Sequence, residues 1–205
     1  SPHSAGAAAL MVAIHPDWSV VEIRSAMSTT TNPELLDWNV VPPADYWDMG
    51  SGRLDLAGAS NTGLVLDETI EDFIAADPEQ GGVPRDLNMP YVVNYHCIDI
   101  CSWTRTVTSV YTEETTWDVE IIEPAEMNLT VSERDFELTG GMDQVLEITA
   151  HIGDALPDTV LFGEIQLVPR GSGVTTRIPV VVVVDAPPPV IEVSPLALES
   201  TQLGG

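Results

Sequence analysis

Hydrophobic and polar residues alternate, or apolar residues form short runs, along much of the second half of the chain. Leu146, Ile148 and Ala150 are separated by polar residues, which is typical of a strand with one buried and one solvent-facing side. Similar segments predict strands over residues 103–110, 117–122, 127–131, 136–138, 145–152, 160–168 and 175–184. Roughly seven short strands in about ninety residues are typical of a β-sandwich.

Residues 178–184 are apolar without alternation, so we expect this strand to be covered on both faces. Pro179 has no N–H to donate, and it therefore places the start of the strand at an edge or a bulge. If the run were exposed, it would be an aggregation hazard.

The first sixty or so residues have a helical pattern instead. Residues 2–14 predict a helix that begins at Pro2, where the missing N–H costs nothing. This helix has almost no polar face, so we expect it to be buried on all sides. Ser19 and Glu22 form a capping box that begins a second helix. The apolar positions of this second helix are Ile23, Ala26 and Met27. It ends at the threonines Thr29, Thr30 and Thr31.

Four sequence blocks in this segment, in order, resemble a known family. Ser1, Pro2 and His3, followed by the small residues 5–9, resemble the stretch just after the nucleophile of subtilisin-like serine proteases (subtilases). In that family the pattern Gly-Thr-Ser-Met-Ala-Ser-Pro-His precedes a helix of small residues. The other blocks are His-Pro-Asp-Trp-Ser at 15–19, Ile-Arg-Ser-Ala-Met at 23–27 with Thr29 and Thr30, and the Gly-x-Gly turn and strand at 50–55 with Ala59.

The resemblance implies a serine endopeptidase that hydrolyses peptide bonds with a Ser-His-Asp triad. In that mechanism the histidine takes the proton of the serine hydroxyl and the aspartate orients the histidine. The nucleophilic serine would lie three residues before Ser1, and the other triad members would lie further upstream. The chain would then contain no catalytic residue, with His3 structural, and on its own it should be inactive.

Two further resemblances follow along the chain. Asp86, Leu87, Asn88 and Pro90 resemble the Asp-Leu-Asn-x-Pro entry into the C-terminal domain of plant-type and related bacterial subtilases. Residues 103–110 are similar to the Arg-Thr-Val-Thr-Asn-Val strand of the fibronectin type III-like domain in that family. Further strands of that domain correspond to residues 131–132, Phe136, 162–165 and 177–180.

These resemblances predict an α+β chain with four parts. We expect residues 1–65 to be the C-terminal helices of an α/β subtilisin-like peptidase domain, and residues 66–95 to be a connector. An all-β fibronectin type III-like sandwich should follow at 96–186. The prolines after Ala186 predict a stiff linker, so residues 187–205 should hold that linker and the start of a further β module.

The charge of the chain limits its partners. It has 32 acidic and 7 basic residues, a formal net charge of −25, and all of its basic residues are arginine. Such a charge repels nucleic acid and anionic membranes, and no apolar run is long enough to span a bilayer. We therefore expect no nucleic-acid or membrane partners. The charge suits a salty or extracellular medium, where ions screen the self-repulsion, and the resemblance implies a secreted protein. Its partners should be the upstream peptidase-domain polypeptide and, for the parent enzyme, protein or peptide substrates.

Cys97 and Cys101 are the two cysteines. In an extended strand, four steps of about 3.3 Å would hold their Cα atoms about 13 Å apart. A disulfide needs a Cα separation below about 7 Å, so a bond requires a turn between them. In an exported protein we favour the disulfide, and two reduced buried thiols are the alternative.

No cofactor is identified from the sequence. Glu68, Glu71, Asp72 and Asp77 are the candidate ligands of a calcium site, although their spacing matches no EF-hand loop. The four histidines are scattered along the chain, which argues against a metal cluster among them. Structural calcium in the parent enzyme stays open.

Two other functions remain open. The β-sandwich could be a non-catalytic module that docks the protein to a surface or polymer, although no exposed aromatic platform is evident from the sequence. The parent could also be an inactive protease homologue, since the triad would lie outside this chain.

Overall fold

The computed structural model describes residues 2–36 and 45–188, in which a helical segment precedes two packed β-sheets. The helices are α1 (Pro2–Ile14), α2 (Val20–Thr29), α3 (Tyr46–Met49), α4 (Leu56–Ser60) and α5 (Ile70–Ala75). The strands are β1 (Leu64–Val65), β2 (Val92–Cys97), β3 (Ile100–Ser109), β4 (Thr115–Ile122), β5 (Asn128–Val131), β6 (Asp135–Leu138), β7 (Asp143–His151), β8 (Val160–Pro169) and β9 (Thr176–Val184). Short 3-10 turns lie at Pro78–Gln80 and Pro84–Asp86. Within the described ranges, no helix is long and apolar enough to cross a membrane.

The two sheets form a sandwich. One sheet has the strand order β1-β3-β7-β5 and the other has the order β2-β9-β8-β4-β6. Neighbouring strands are antiparallel except for β2 and β9, which are parallel. All seven strands predicted from the sequence are confirmed with small shifts at their ends. Strand β2 was not predicted, and most of it lies in the segment expected to be the connector, residues 66–95.

The sandwich core follows the predicted alternation. Leu146, Ile148 and Ala150 on β7 are fully buried, and they belong to the same core as Trp117 and Ile165 of the other sheet. Strand β9 lies between β2 and β8 and is buried on both sides over most of its length, as expected. Its pairing with β2 begins at Val180, so Pro179 lies where β9 is still an edge on that side.

A second, smaller core joins the helices. Met11 of α1, Ile23 and Ala26 of α2, and Ala59 of α4 are buried together with Val65 of β1. The capping box predicted at Ser19 and Glu22 is present at the start of α2.

Strand β1 belongs to both cores. Leu64 and Leu66 pack into the sandwich, whereas Val65 between them packs into the helical core. Successive side chains of a strand point to opposite faces, which explains this alternation. The buried Ser25 hydroxyl of α2 accepts the Leu66 N–H at 2.8 Å. The helical segment and the sandwich are therefore held together by main-chain as well as side-chain contacts.

Asn88 extends the sheet where β1 ends. Its side-chain amide donates to the carbonyl of Thr106 and accepts from the Thr106 N–H, both at 2.8 Å, as the backbone of a paired strand would. The same amide donates to the Asp67 carbonyl at 3.0 Å. The Asp-Leu-Asn segment thus fixes the connector against β3.

Arg105 secures the same connector from inside the protein. It is 2% exposed, and its guanidinium donates to the carbonyls of Met89, Thr104 and Tyr91 at 2.9, 2.7 and 3.0 Å. Burial lowers the pKa of Arg105 to about 10, with the nearby Asp86 opposing the shift. The guanidinium therefore stays charged at neutral pH, and its hydrogen bonds go mainly to backbone carbonyls.

The sheets include strands on both sides of residue 96, since β1 and most of β2 precede it. The predicted division into four parts stays a prediction. Of the predicted linker and further β module, residues 189–205 lie outside the described residues.

Replacing Asn88 tests its role as a substitute strand. Asn88→Ala leaves the Thr106 N–H and carbonyl without partners, so we expect the free energy of unfolding to fall by about 1–3 kcal/mol. Chemical denaturation with urea measures this. The control is Asn128→Ala, which removes an exposed strand amide and should change stability by no more than about 0.5 kcal/mol. Equal losses in the two variants would contradict the role assigned to Asn88.

Candidate functional site

The motif that resembles the region after a subtilase nucleophile lies at the start of α1. Pro2 is the first residue of this helix, His3 is exposed, and Ser1 lies outside the described residues. The first N–H groups of an α-helix have no partner within the helix, and the helix dipole places partial positive charge there. Such an end can stabilise an oxyanion. Among the described residues, no serine hydroxyl is hydrogen-bonded to a histidine ring.

Helix α1 is largely uncovered. Only Ala7 and Met11 are buried, while Leu10, Val12 and Ile14 are 54%, 53% and 52% exposed. The burial on all sides that the apolar pattern predicts is not met within the described residues, although exposure is what we expect of a chain that lacks the parallel sheet of a subtilisin-like peptidase domain. The physical reason is that one helix face packs on α2 and α4, and the described residues supply no further layer over the other faces.

The Gly-x-Gly block forms a tight turn. Gly50 and Gly52 have φ values of 59° and 121°, which favour glycine. A Cβ atom on Gly52 would lie 2.7 Å from the Asn32 carbonyl oxygen. The strand expected after this turn is not formed, because the pairing is limited to a single bridge between Asn32 and Arg53, and Asp55 then caps α4.

The acidic residues considered for calcium serve mainly as local hydrogen-bond acceptors. Glu68 accepts the Asn88 N–H, Asp72 accepts the Thr69 hydroxyl at the start of α5, and Asp77 caps the next turn. The pKa of Asp72 and that of Asp77 are lowered, chiefly by side-chain hydrogen bonds from Thr69 and Gln80 respectively. In residues 2–36 and 45–188, no group of three or more potential ligands is placed to hold a metal ion.

Cys97 and Cys101 form a disulfide with a Cα separation of 5.8 Å. The turn that the bond requires is present, with Asp99 at a φ of 64°. Cys97 is the last residue of β2 and Cys101 lies in β3, so the bond joins the two sheets at one end of the sandwich. By loop-closure entropy, a ring of this size stabilises the fold by about 2 kcal/mol.

A buried charged cluster joins the helical segment to the outer face of the five-stranded sheet. Glu164 on β8 is 1% exposed, and Arg177 on β9 donates to its carboxylate through Nε at 2.9 Å and through Nη2. Gln166 donates to the same carboxylate at 2.6 Å. From the helical segment, the Tyr46 hydroxyl donates to Glu164 at 2.6 Å and the Thr31 carbonyl accepts from Arg177 at 3.2 Å.

The environment of Tyr46 keeps its phenol neutral. Burial raises its pKa well above the ordinary value, and the adjacent Glu164 carboxylate raises it further. The raised pKa means that the folded protein holds the phenol proton more tightly than the unfolded chain does. The resulting contribution to stability is fully present below about pH 10 and is lost as the pH rises further. The hydroxyl therefore remains a donor to Glu164 at physiological pH.

Next to this cluster lies an exposed aromatic pair. The rings of Trp47 and Tyr95 are stacked with centroids 6.1 Å apart, and Phe162 meets the Trp47 ring edge-on. Trp47 is 50% exposed and Tyr95 is 58% exposed. This pair was not predicted from the sequence, since the two residues belong to separate parts of the chain that only the fold brings together. The Glu164 cluster was not predicted either, and the one available signal for it was a charged residue within the apolar segment 160–168.

Breaking the charged cluster should be costly. Arg177→Met leaves Glu164 buried without its cation, so we expect a loss of about 3–5 kcal/mol in unfolding free energy. The double variant Glu164→Leu with Arg177→Met removes both charges and should lose less than the single variant. Urea denaturation checks both values. Arg134→Met is the control, because Arg134 is exposed, and a comparable loss there would contradict the assignment.

The comparisons with known proteins point to one family. Residues 86–182 match the family model described as a fibronectin type-III domain. The chain is 33% identical over 164 residues to the subtilisin-like protease SBT1.7 of Arabidopsis thaliana, covering 62% of this chain and 22% of that protein. It is 44% identical over 94 residues to SBT1.6 of the same plant, covering 43% of this chain and 12% of the relative.

A longer match extends into the helical segment. The subtilisin-like protease SBT2.5 of Arabidopsis thaliana is 27% identical over 214 residues, covering 88% of this chain and 26% of the relative. The chain thus spans about a quarter or less of the length of these relatives. The fibronectin match includes the Asp-Leu-Asn segment at its start. The resemblance is confirmed, and the chain is similar to the C-terminal, fibronectin type III-like region of the subtilisin-like proteases.

Proposed function

We propose that this chain is the C-terminal part of a secreted serine endopeptidase whose Ser-His-Asp triad lies upstream. Residues 1–65 would be the end of its peptidase domain. The observation that carries the proposal is the position of α1, which begins at Pro2 immediately after Ser1. A serine three residues before Ser1 would then stand at the N-terminal end of this helix.

The chemistry of acyl transfer suits that position. When the serine oxygen attacks a peptide carbonyl, the carbonyl oxygen gains negative charge, and donors fixed in advance stabilise it. A histidine and an aspartate from the upstream polypeptide would remove and later return the proton of the serine hydroxyl. The contribution of this chain is the helix that fixes the geometry of the nucleophile.

The exposed apolar side of α1 supports the same proposal. Leu10, Val12 and Ile14 are each more than half exposed, which is unusual for three neighbouring apolar residues of a helix. The upstream peptidase-domain polypeptide is the partner that would cover them. The Cys97–Cys101 disulfide agrees with an exported protein, since disulfides persist in oxidising compartments.

We propose that the sandwich acts as a scaffold for this helical segment. Val65 completes the helical core, and Arg177 and Glu164 bind Thr31 and Tyr46. Removal of the sandwich would eliminate both sets of contacts. The peptidase domain would then lose stability.

The nucleophile can be tested in the full-length protein. Replacing the serine three residues before Ser1 by alanine should reduce peptide hydrolysis by at least a thousandfold and abolish labelling by a fluorophosphonate probe. Ser4→Ala is the control, because Ser4 is the nearest serine that lies within α1, and it should retain activity and labelling. Full activity of the first variant, or another residue at that position, would contradict the proposal.

Docking to a polymer or surface is a second candidate function, which the exposed Trp47–Tyr95 pair favours. Large aromatic rings with one accessible face are common anchors at binding surfaces. If docking is the role, Trp47→Ala with Tyr95→Ala should release the full-length protein from insoluble protein substrate while hydrolysis of a soluble peptide stays unchanged. Loss of thermal stability without loss of adhesion would favour the scaffold role instead.

A further inference from the structure

A groove separates the helical segment from one end of the sandwich. Its volume is about 900 Å³, and its walls are the turn between α1 and α2 with residues 60–62 on one side and residues 110–116 and 170–174 on the other. This size is in the range of ligand sites, which are common where two structural units meet. We call it the junction groove, and the side chains that matter are His15, Trp18, Tyr111, Glu113, Glu114 and Arg170.

The aromatic rings of the junction groove are held in fixed positions. His15 and Trp18 stack with centroids 3.8 Å apart and planes within 7°, and Nε2 of His15 lies 3.0 Å from the Ser60 carbonyl. The Tyr111 hydroxyl donates to the Asn61 carbonyl at 3.0 Å. Its ring stacks on the fully buried Trp117. Rings fixed before binding lose little conformational freedom when a ligand arrives.

The charge of the junction groove is negative. Glu113 and Glu114 are exposed and form no ion pair among the described residues. Arg170 is the cation of the groove, but its guanidinium contacts Asp118 at 2.6 Å and Asp135 at 2.8 Å. Its positive charge is thus offset by two carboxylates outside the groove. The two glutamates are left to face a ligand.

Aromatic faces beside unpaired carboxylates are complementary to the guanidinium group of an arginine side chain. A guanidinium is planar, so it can stack on an aromatic face and still donate two parallel hydrogen bonds to a carboxylate. Anionic ligands would be repelled by Glu113 and Glu114, and the polar lining disfavours a purely apolar ligand. We propose that the junction groove binds an arginine side chain of a basic polypeptide segment. This does not depend on the chain being part of a protease.

Peptide binding tests the proposal in the full-length protein after treatment with phenylmethylsulfonyl fluoride. The probe is a fluorescein-labelled Gly-Arg-Gly-Arg-Gly peptide, and the matched control peptide carries citrulline, which has nearly the same shape without the charge. Fluorescence anisotropy should give an affinity at least tenfold higher for the arginine peptide. Glu113→Gln with Glu114→Gln should weaken arginine binding at least fivefold and leave citrulline binding unchanged.

A second pair of substitutions separates a specific site from the general attraction of an acidic protein. Glu126→Gln with Glu147→Gln removes the same charge from exposed positions outside the junction groove and should change the affinity less than twofold. Equal losses in the two double variants would overturn the proposal, as would equal binding of the two peptides. Intrinsic tryptophan fluorescence should also respond to the arginine peptide, and Trp18→Phe should reduce that response.

Discussion

The structure depends on three consecutive residues that serve two cores. Leu64 and Leu66 fill the sandwich while Val65 fills the helical core, and all three are fully buried. Each such side chain stabilises the fold by about 1.5–3 kcal/mol through removal from water. Because a strand sends alternate side chains to opposite faces, a shift of one residue would exchange the two sets. The helical segment and the sandwich are therefore coupled by register as well as by contact.

Buried polar groups fix the same arrangement. Arg105 binds backbone carbonyls of the connector, and the Arg177–Glu164 pair binds Tyr46 and Thr31 across the junction. Such groups add little net stability when fully paired, but leaving one partner unpaired costs several kcal/mol. They disfavour any packing of the helices on the sheet that would leave one of these groups unpaired.

The exposed side of α1 and the acidic surface have different physical consequences. Apolar residues of α1 are exposed to water, which lowers the stability of the chain and favours the binding of a polypeptide that covers them. A net charge of −25 opposes association with other acidic surfaces and disfavours compaction through self-repulsion. A partner that covers α1 would have to satisfy both conditions, whereas a ligand of the junction groove would have to satisfy only the second.

The sequence by itself determined the local elements and the resemblance to the subtilisin-like proteases. Alternation predicted seven strands, the residues around Ser19 predicted the start of α2, and ordered motifs predicted a subtilase region, because these signals depend on neighbours along the chain. Strand β2, the Glu164 cluster, the Trp47–Tyr95 pair and the junction groove were not predicted. Strand β2 is a contiguous segment, but its partner β9 is distant in sequence. The members of the other three are themselves distant in sequence, and they meet only because the cores fix the relative positions of helices and sheets, so tertiary packing decided them.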